Sequence, residues 1–127
     1  MEVDVDLEDV KAEVLDLFLG YEAALVAGDV AAVNDFFWDS SLTLRYGIAD
    51  YQLGIDELVA WRNTQNPLPP GRTLVDTVVT TFGRNAAVVN TMFRYPNATR
   101  HGRQSQTWIR LSNGWKIVCA HVSEVDD

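Results

Sequence analysis

Asn66-Pro67-Leu68-Pro69-Pro70-Gly71 divides the chain into two halves that read differently. Proline lacks a backbone donor, so this run continues neither a helix nor a sheet ladder. Beyond it lie Arg72–Phe82, Ala86–Tyr95, Gly102–Leu111 and Trp115–Val122, all rich in the β-branched and aromatic residues that suit a pleated surface. Gly83-Arg84-Asn85 and Ser112-Asn113-Gly114 are short enough for hairpin turns, so this half predicts an antiparallel meander. Before the break, Leu7, Val10, Val14, Leu17, Phe18, Tyr21, Ala24 and Leu25 recur at the three-and-four spacing of one helix face, over Leu7–Ala27. Gly28 suits the left-handed residue that closes such a helix, and Asp29 suits the cap of a short second one running to Phe37. Ser40–Tyr46 and Tyr51–Gly54 read as short strands, and Ile55–Arg62 as a third helix with Leu58, Val59 and Trp61 as its apolar contacts. Helices followed by antiparallel strands imply an α+β fold, a cone-shaped curved antiparallel or mixed sheet wrapped over the long N-terminal helix. A pocket between sheet and helices is a usual ligand site in such an arrangement.

The 127 residues are expected to form a single domain, 1–127, with acidic tails at 1–6 and 124–127. Ten Lys and Arg against 18 Asp and Glu leave a net charge of −8, which argues against nucleic acid or an anionic membrane surface as partner. There is no apolar run long enough to span a bilayer and no basic-then-apolar leader, and the single Cys119 has no thiol to pair with, so the cytoplasm is the expected compartment.

The informative residues are polar ones in apolar company. Tyr21 lies on the buried stripe of the first helix, where a phenol needs a hydrogen-bond partner, although an ordinary core tyrosine satisfies the same spacing. Arg45 shares a strand face with Ser41 and Thr43, while Leu42, Leu44 and Tyr46 share the other. If that polar face looks into the cone, the guanidinium needs an internal acid or an anionic ligand; otherwise it is an edge-strand arginine in water. A planar fork of donors suits a carboxylate. In Gly102–Ile109, Gln104, Gln106 and Trp108 alternate with Arg103, Ser105 and Thr107, and the glutamine row is expected inside. His121 and Ser123 read in phase with Cys119, Ile117 and Trp115 at the end of the last strand.

Several chemistries have no footing. His101 and His121 lack the companions of a zinc site. Phosphate-binding and dinucleotide-binding glycine loops are missing, as is a Gly-x-Ser-x-Gly elbow. The acids are expected at the tails and on solvent faces rather than paired inside an apolar strand. A catalyst built from this chain works through desolvated hydrogen bonds and a cation.

The chain resembles the nuclear-transport-factor-2-like superfamily of cone folds, which includes SnoaL-type and ketosteroid-isomerase-type proteins. Within it, the chain is most similar to the AtzH-like group, also called oxalurate catabolism proteins. Gly20-Tyr21-Glu22-Ala23-Ala24-Leu25, Leu44-Arg45-Tyr46-Gly47, Gly71-Arg72-Thr73, Gly102-Arg103-Gln104-Ser105-Gln106-Thr107-Trp108, Gly114-Trp115-Lys116-Ile117-Val118 and Ala120-His121-Val122-Ser123 carry the resemblance, from about residue 7 to 124. It implies a cofactor-free, metal-free protein that hydrolyses a carboxylated urea with loss of carbon dioxide, dimeric through its outer sheet face, with Tyr21 and Arg45 as the catalytic pair.

Two functions are compatible with these residues. One is an amidohydrolase for an N-carboxylated urea or oxalurate-like acid in nitrogen-compound catabolism. There Arg45 holds the carboxylate, Tyr21 meets the reacting carbonyl, and Gln104, Gln106, His121, Ser123 and Trp61 contact the substrate, His121 being the one candidate base. The other is a non-enzymatic carboxylate-binding or accessory protein of a neighbouring hydrolase, to be told apart by product release from the purified chain. An isomerase acting on an apolar ring lacks its carboxylate base. A homodimer is expected because Ile109, Leu111, Val89 and Phe93 exceed what one sheet face needs.

Overall fold

The computed structural model describes residues 2–127. Helix α1, Glu8–Ala27, carries Glu8 and Asp9 in its first turn, where unpaired N–H groups favour negative charge, and ends at Gly28 with φ 71°. Asp29 caps α2, Val30–Asp35, accepting from the Ala32 N–H at 3.1 Å. Strands β1, Leu44–Tyr46, and β2, Tyr51–Leu53, lead into α3, Ile55–Asn63. After the proline break come β3, Thr73–Phe82, β4, Ala86–Arg94, β5, Arg100–Leu111, and β6, Gly114–Asp126.

The sheet has six strands in the order β2-β1-β6-β5-β4-β3. All pairs are antiparallel except β1 with β6, so the sheet is mixed. Its concave face takes α1, whose Val10, Val14, Phe18 and Tyr21 meet Val79, Ala87, Val89, Trp108, Trp115 and Ile117 in one core. The architecture is the α+β cone expected from the element order.

Two bulges bend the sheet. In β3 the register with β4 slips between Val75 and Val78, where Asp76 adopts φ 54°. In β6, Ile117 faces Trp108 but Cys119 faces Thr107, so Val118 is an extra residue with no partner of its own. An extra residue bends a strand and raises its twist, which is how a sheet curls into a cone. It also inverts the alternation. Trp115 and Ile117 point inward before Val118, and Ala120 points inward after it.

The inner and outer faces differ from expectation in one respect. Val89 and Phe93, 1% and 5% exposed, belong to the interior, so they supply no apolar surface for a second copy. The outer face instead carries Val78 and Phe82, both well exposed, with Ile109 and Leu111 half-buried. Both acidic ends are woven into the fold. Val5 bridges Phe82, and Asp6 exchanges hydrogen bonds with the backbone of Thr81, while β6 runs on to Asp126. Among the described residues no helix is long and apolar enough to cross a membrane.

Candidate functional site

Between the concave sheet face, the end of α1, α2, α3 and the segment 65–69 lies a cavity of about 500 Å³. Tyr21, Leu25, Val33, Phe37, Phe93 and Val122 supply apolar wall, and Arg45, Asp50, Arg62, Arg72, Gln104, Gln106 and Glu124 supply polar groups. That combination, apolar walls with a few convergent polar groups, is the ordinary make-up of a small-ligand site.

Tyr21 reaches it from the buried stripe of α1. Its ring is clamped edge-on by Phe36 and Phe37, with centroids 5.9 and 6.2 Å away. Burial pushes the phenol above its ordinary value, opposed in part by the positive charge of Arg62. Tyr21 therefore stays protonated at neutral pH and offers an O–H donor to whatever enters the cavity.

Arg45 stands on β1 opposite Gln52, with Ala120 of β6 on its other side. Its Nη1 donates to Asp50 Oδ1 and to Gln52 Oε1, both at 3.0 Å, and Gln52 Nε2 donates to the same Asp50 oxygen at 2.8 Å. The guanidinium lies over the Trp61 ring, 4.0 Å from its centroid. Its polar strand face does look into the cone, and Trp61 acts as the platform beneath it. Asp50 is at the rim, 38% exposed against 13% for the Arg45 side chain, so the cation is offset by an acid that water also reaches.

Deeper in, Glu22 and Arg72 form an ion pair that the expectation of acids confined to tails and solvent faces missed. Arg72 Nε donates to Glu22 Oε2 at 3.0 Å and Nη2 to Oε1 at 3.2 Å, with both side chains under 10% exposed. Burial works against the charge on Arg72, and the Glu22 carboxylate overcomes it, holding the guanidinium above its ordinary value. Gln104 closes the ring, donating from Nε2 to Glu22 and accepting from Arg72 Nη2, each at 3.2 Å. Gln104 thus lines the cavity with its amide already committed. Gln106 is freer: its Oε1 accepts from the Trp108 indole at 3.1 Å, which leaves its NH₂ group as a donor.

His121 and Ser123 are not in the cavity lining, which corrects the expectation that they contact substrate. Extrapolating the alternation of Trp115 and Ile117 through Cys119 put them inside, and the bulge at Val118 reverses that phase. Ala120, Val122 and Glu124 take the inner positions instead. His121 is exposed and packs against the Tyr46 ring, centroids 5.8 Å apart. The candidate base suggested by sequence is therefore out of reach. Arg62 was the other omission. Ile55, Leu58 and Arg62 share one face of α3 by spacing, and Arg62 is only 9% exposed. The described residues contain no group of three or more His, Cys, Asp and Glu placed to hold a metal ion.

A curved sheet closed over a long helix, with a polar-lined hollow between them, is the cone fold seen in nuclear transport factor 2-like proteins. Residues 3–127 match the AtzH-like family, and the chain belongs to it. It is similar to a cystatin-like fold protein from Burkholderia xenovorans LB400, at 46% identity over 98% of each chain with a TM-score of 0.95. It is similar also to a protein of unknown function from Pectobacterium atrosepticum, at 41% identity over 97% of this chain and 96% of that one, TM-score 0.93. A nuclear transport factor 2-like protein from Salmonella enterica serovar Typhimurium shares the fold at 24% identity, covering 93% and 91% of the two chains with a TM-score of 0.71. Comparison with curated proteins returned no match.

Proposed function

We propose that this protein is a small, cofactor-independent amidohydrolase acting on an N-carboxylated urea or oxalurate-like acid. The observation that supports it is that a guanidinium, Arg45, and a phenol kept neutral by burial, Tyr21, border one cavity of small-molecule size. Arg45 orients the substrate carboxylate, with the Trp61 ring against its guanidinium. Water adds to the carbonyl carbon, and Tyr21 donates its O–H hydrogen bond to the oxygen as negative charge builds there. A donor fixed in this way is worth about 3–4 kcal/mol of barrier. The C–N bond then breaks, the leaving nitrogen takes a proton, and the carbamate released loses carbon dioxide. Gln106 serves the urea nitrogens or the water. Two copies pair across the outer sheet face, supported by Val78, Phe82, Ile109 and Leu111.

The test is ammonia and carbon dioxide release from oxalurate and from carboxyurea by the purified chain, with Arg45→Gln and Tyr21→Phe alongside. Turnover that drops roughly a hundredfold or more in each variant, with the fold intact, is the expected result. Full activity in both removes the assignment. Binding without turnover in the wild type replaces it with a carboxylate-binding accessory protein. Light scattering that returns a monomer at micromolar concentration removes the dimer.

A further inference from the structure

Three guanidinium groups border the cavity, and they are not equivalent. Arg45 is offset by Asp50, and Arg72 by Glu22. Arg62 makes no ion pair among the described residues. Its Nε and Nη2 are enclosed and have no hydrogen-bond partner among the described residues. Its Cζ lies 5.3 and 5.6 Å from the centroids of the Trp61 and Phe37 rings. Such faces attract a cation far more weakly than water does, so they do not offset the desolvation of an unpaired ion. Burial accordingly presses the Arg62 guanidinium below its ordinary value, with Tyr21 opposing and the Arg45 charge adding to the pressure.

Arg72 illustrates what such a group takes as partner in this interior. It grips the two oxygens of one carboxylate along its Nε and Nη2 edge. Those are the two nitrogens that go unpartnered in Arg62. We propose that Arg62 is the charge that binds the ligand's carboxylate in this cavity, with the Nε/Nη2 edge as its bidentate contact and Arg45 as the orienting neighbour. Arg62 already lines the cavity, and the proposal requires its side chain to swing so that these enclosed donors face the ligand. The proposal rests on the reading of the cavity as a carboxylate site and adds to it the residue that supplies the affinity. Because Asp50 already offsets Arg45, loss of Arg62 weakens anion binding more than loss of Arg45 does.

Calorimetric titration with oxamate and with its neutral counterpart oxamide tests this on the wild type and on Arg62→Gln, Arg62→Lys and Arg45→Gln. A charge-assisted bidentate pair carries about 1.5–3 kcal/mol, so Arg62→Gln is expected to weaken oxamate roughly 10- to 150-fold. Oxamide binding stays within about twofold, and Arg62→Lys recovers part of the loss. A merely structural arginine weakens both ligands alike in its variants, and that result overturns the proposal. So does a wild type that ignores oxamate at millimolar concentration, or an Arg45→Gln variant that loses oxamate while Arg62→Gln keeps it. Absence of turnover with these affinities in place sinks the hydrolase reading and leaves the Arg62 assignment standing.

Discussion

Glu22 and Arg72, 50 positions apart in the chain, meet inside the cone through two N–H···O bonds of 3.0 and 3.2 Å. The pair ties the C-terminal part of α1 to the first residues after the proline break, and so joins the two halves of the sequence beside the cavity. Gln104 and the Tyr95 hydroxyl complete its hydrogen bonding from β5 and from the residue just past β4, and the Phe93 ring lies 4.1 Å below the Arg72 guanidinium.

Breaking this pair from one side leaves a buried charge without its counterpart. Glu22→Gln is expected to cost about 3–5 kcal/mol of unfolding free energy. Replacing both partners, Glu22→Leu with Arg72→Met, should cost much less than Glu22→Gln alone. Urea midpoints of the single and double variants check this, and a double variant as weak as the single one refutes it.

Phe93 can support Arg72 because Gly102, its register partner on β5, has no side chain. The Phe93 ring occupies the space into which a methyl group at 102 would project. Gly102→Ala is expected to destabilise by about 1–3 kcal/mol through overpacking, and adding Phe93→Leu should recover part of the loss. Thermal melts of the three proteins provide the comparison.

An unpaired buried guanidinium burdens the ligand-free protein. Arg62→Met, similar in length and free of charge, should raise the melting temperature by about 4–10 °C. That range corresponds to roughly 1–3 kcal/mol in a domain of this size. Oxamate, in turn, should raise the melting temperature of the wild type and leave that of Arg62→Met nearly unmoved. A lower melting temperature in the variant would mean that the aromatic faces outweigh the desolvation.

Asp6 gives a pH-dependent contribution with a definite sign. The Thr81 N–H, donating at 2.9 Å, holds its carboxyl below the ordinary value, with partial desolvation opposing and Lys11 assisting. A depressed carboxylate contributes stability that is complete above its unfolded value of about 3.9 and is lost as pH falls through the lower folded value. Asp6→Ala should therefore be less stable than the wild type at pH 7, with the difference shrinking as pH is taken below about 4. Urea midpoints across pH 2.5 to 7 measure it; a difference that stays constant contradicts the ionic role.

The element order was legible because local rules agreed with it. The helical spacing from Leu7 to Ala27, the glycine at 28 and the capping Asp29 lie within a residue or two of the observed boundaries. The hairpin turns at 83–85 and 112–114 likewise leave their strands where the β-branched runs are. The periodicities, 3.6 on α1 and 2 on β1, put Tyr21 on the apolar stripe and Arg45 on the polar strand face but left open whether either meets a cavity, and both line one. His121 and Ser123 were misplaced for a definable reason. A period-2 extrapolation holds only while the ladder is unbroken, and a single unpaired residue, Val118, exchanges the faces of everything after it.

What the amino-acid sequence determined by itself is the set of elements and, for the helices and the unbroken stretches of strand, the alternation of their faces, since both depend on neighbours within a turn or a strand. Which charges meet was decided only by the tertiary structure. Glu22 finds Arg72, Arg45 finds Asp50, and Arg62, buried on the Leu58 face of α3, has no ion-pair partner among the described residues. Pairing among buried charges depends on distances between segments far apart in the chain, and no local pattern encodes those distances. The bulges that bend the sheet, and so open the cavity, belong to the same class of fact.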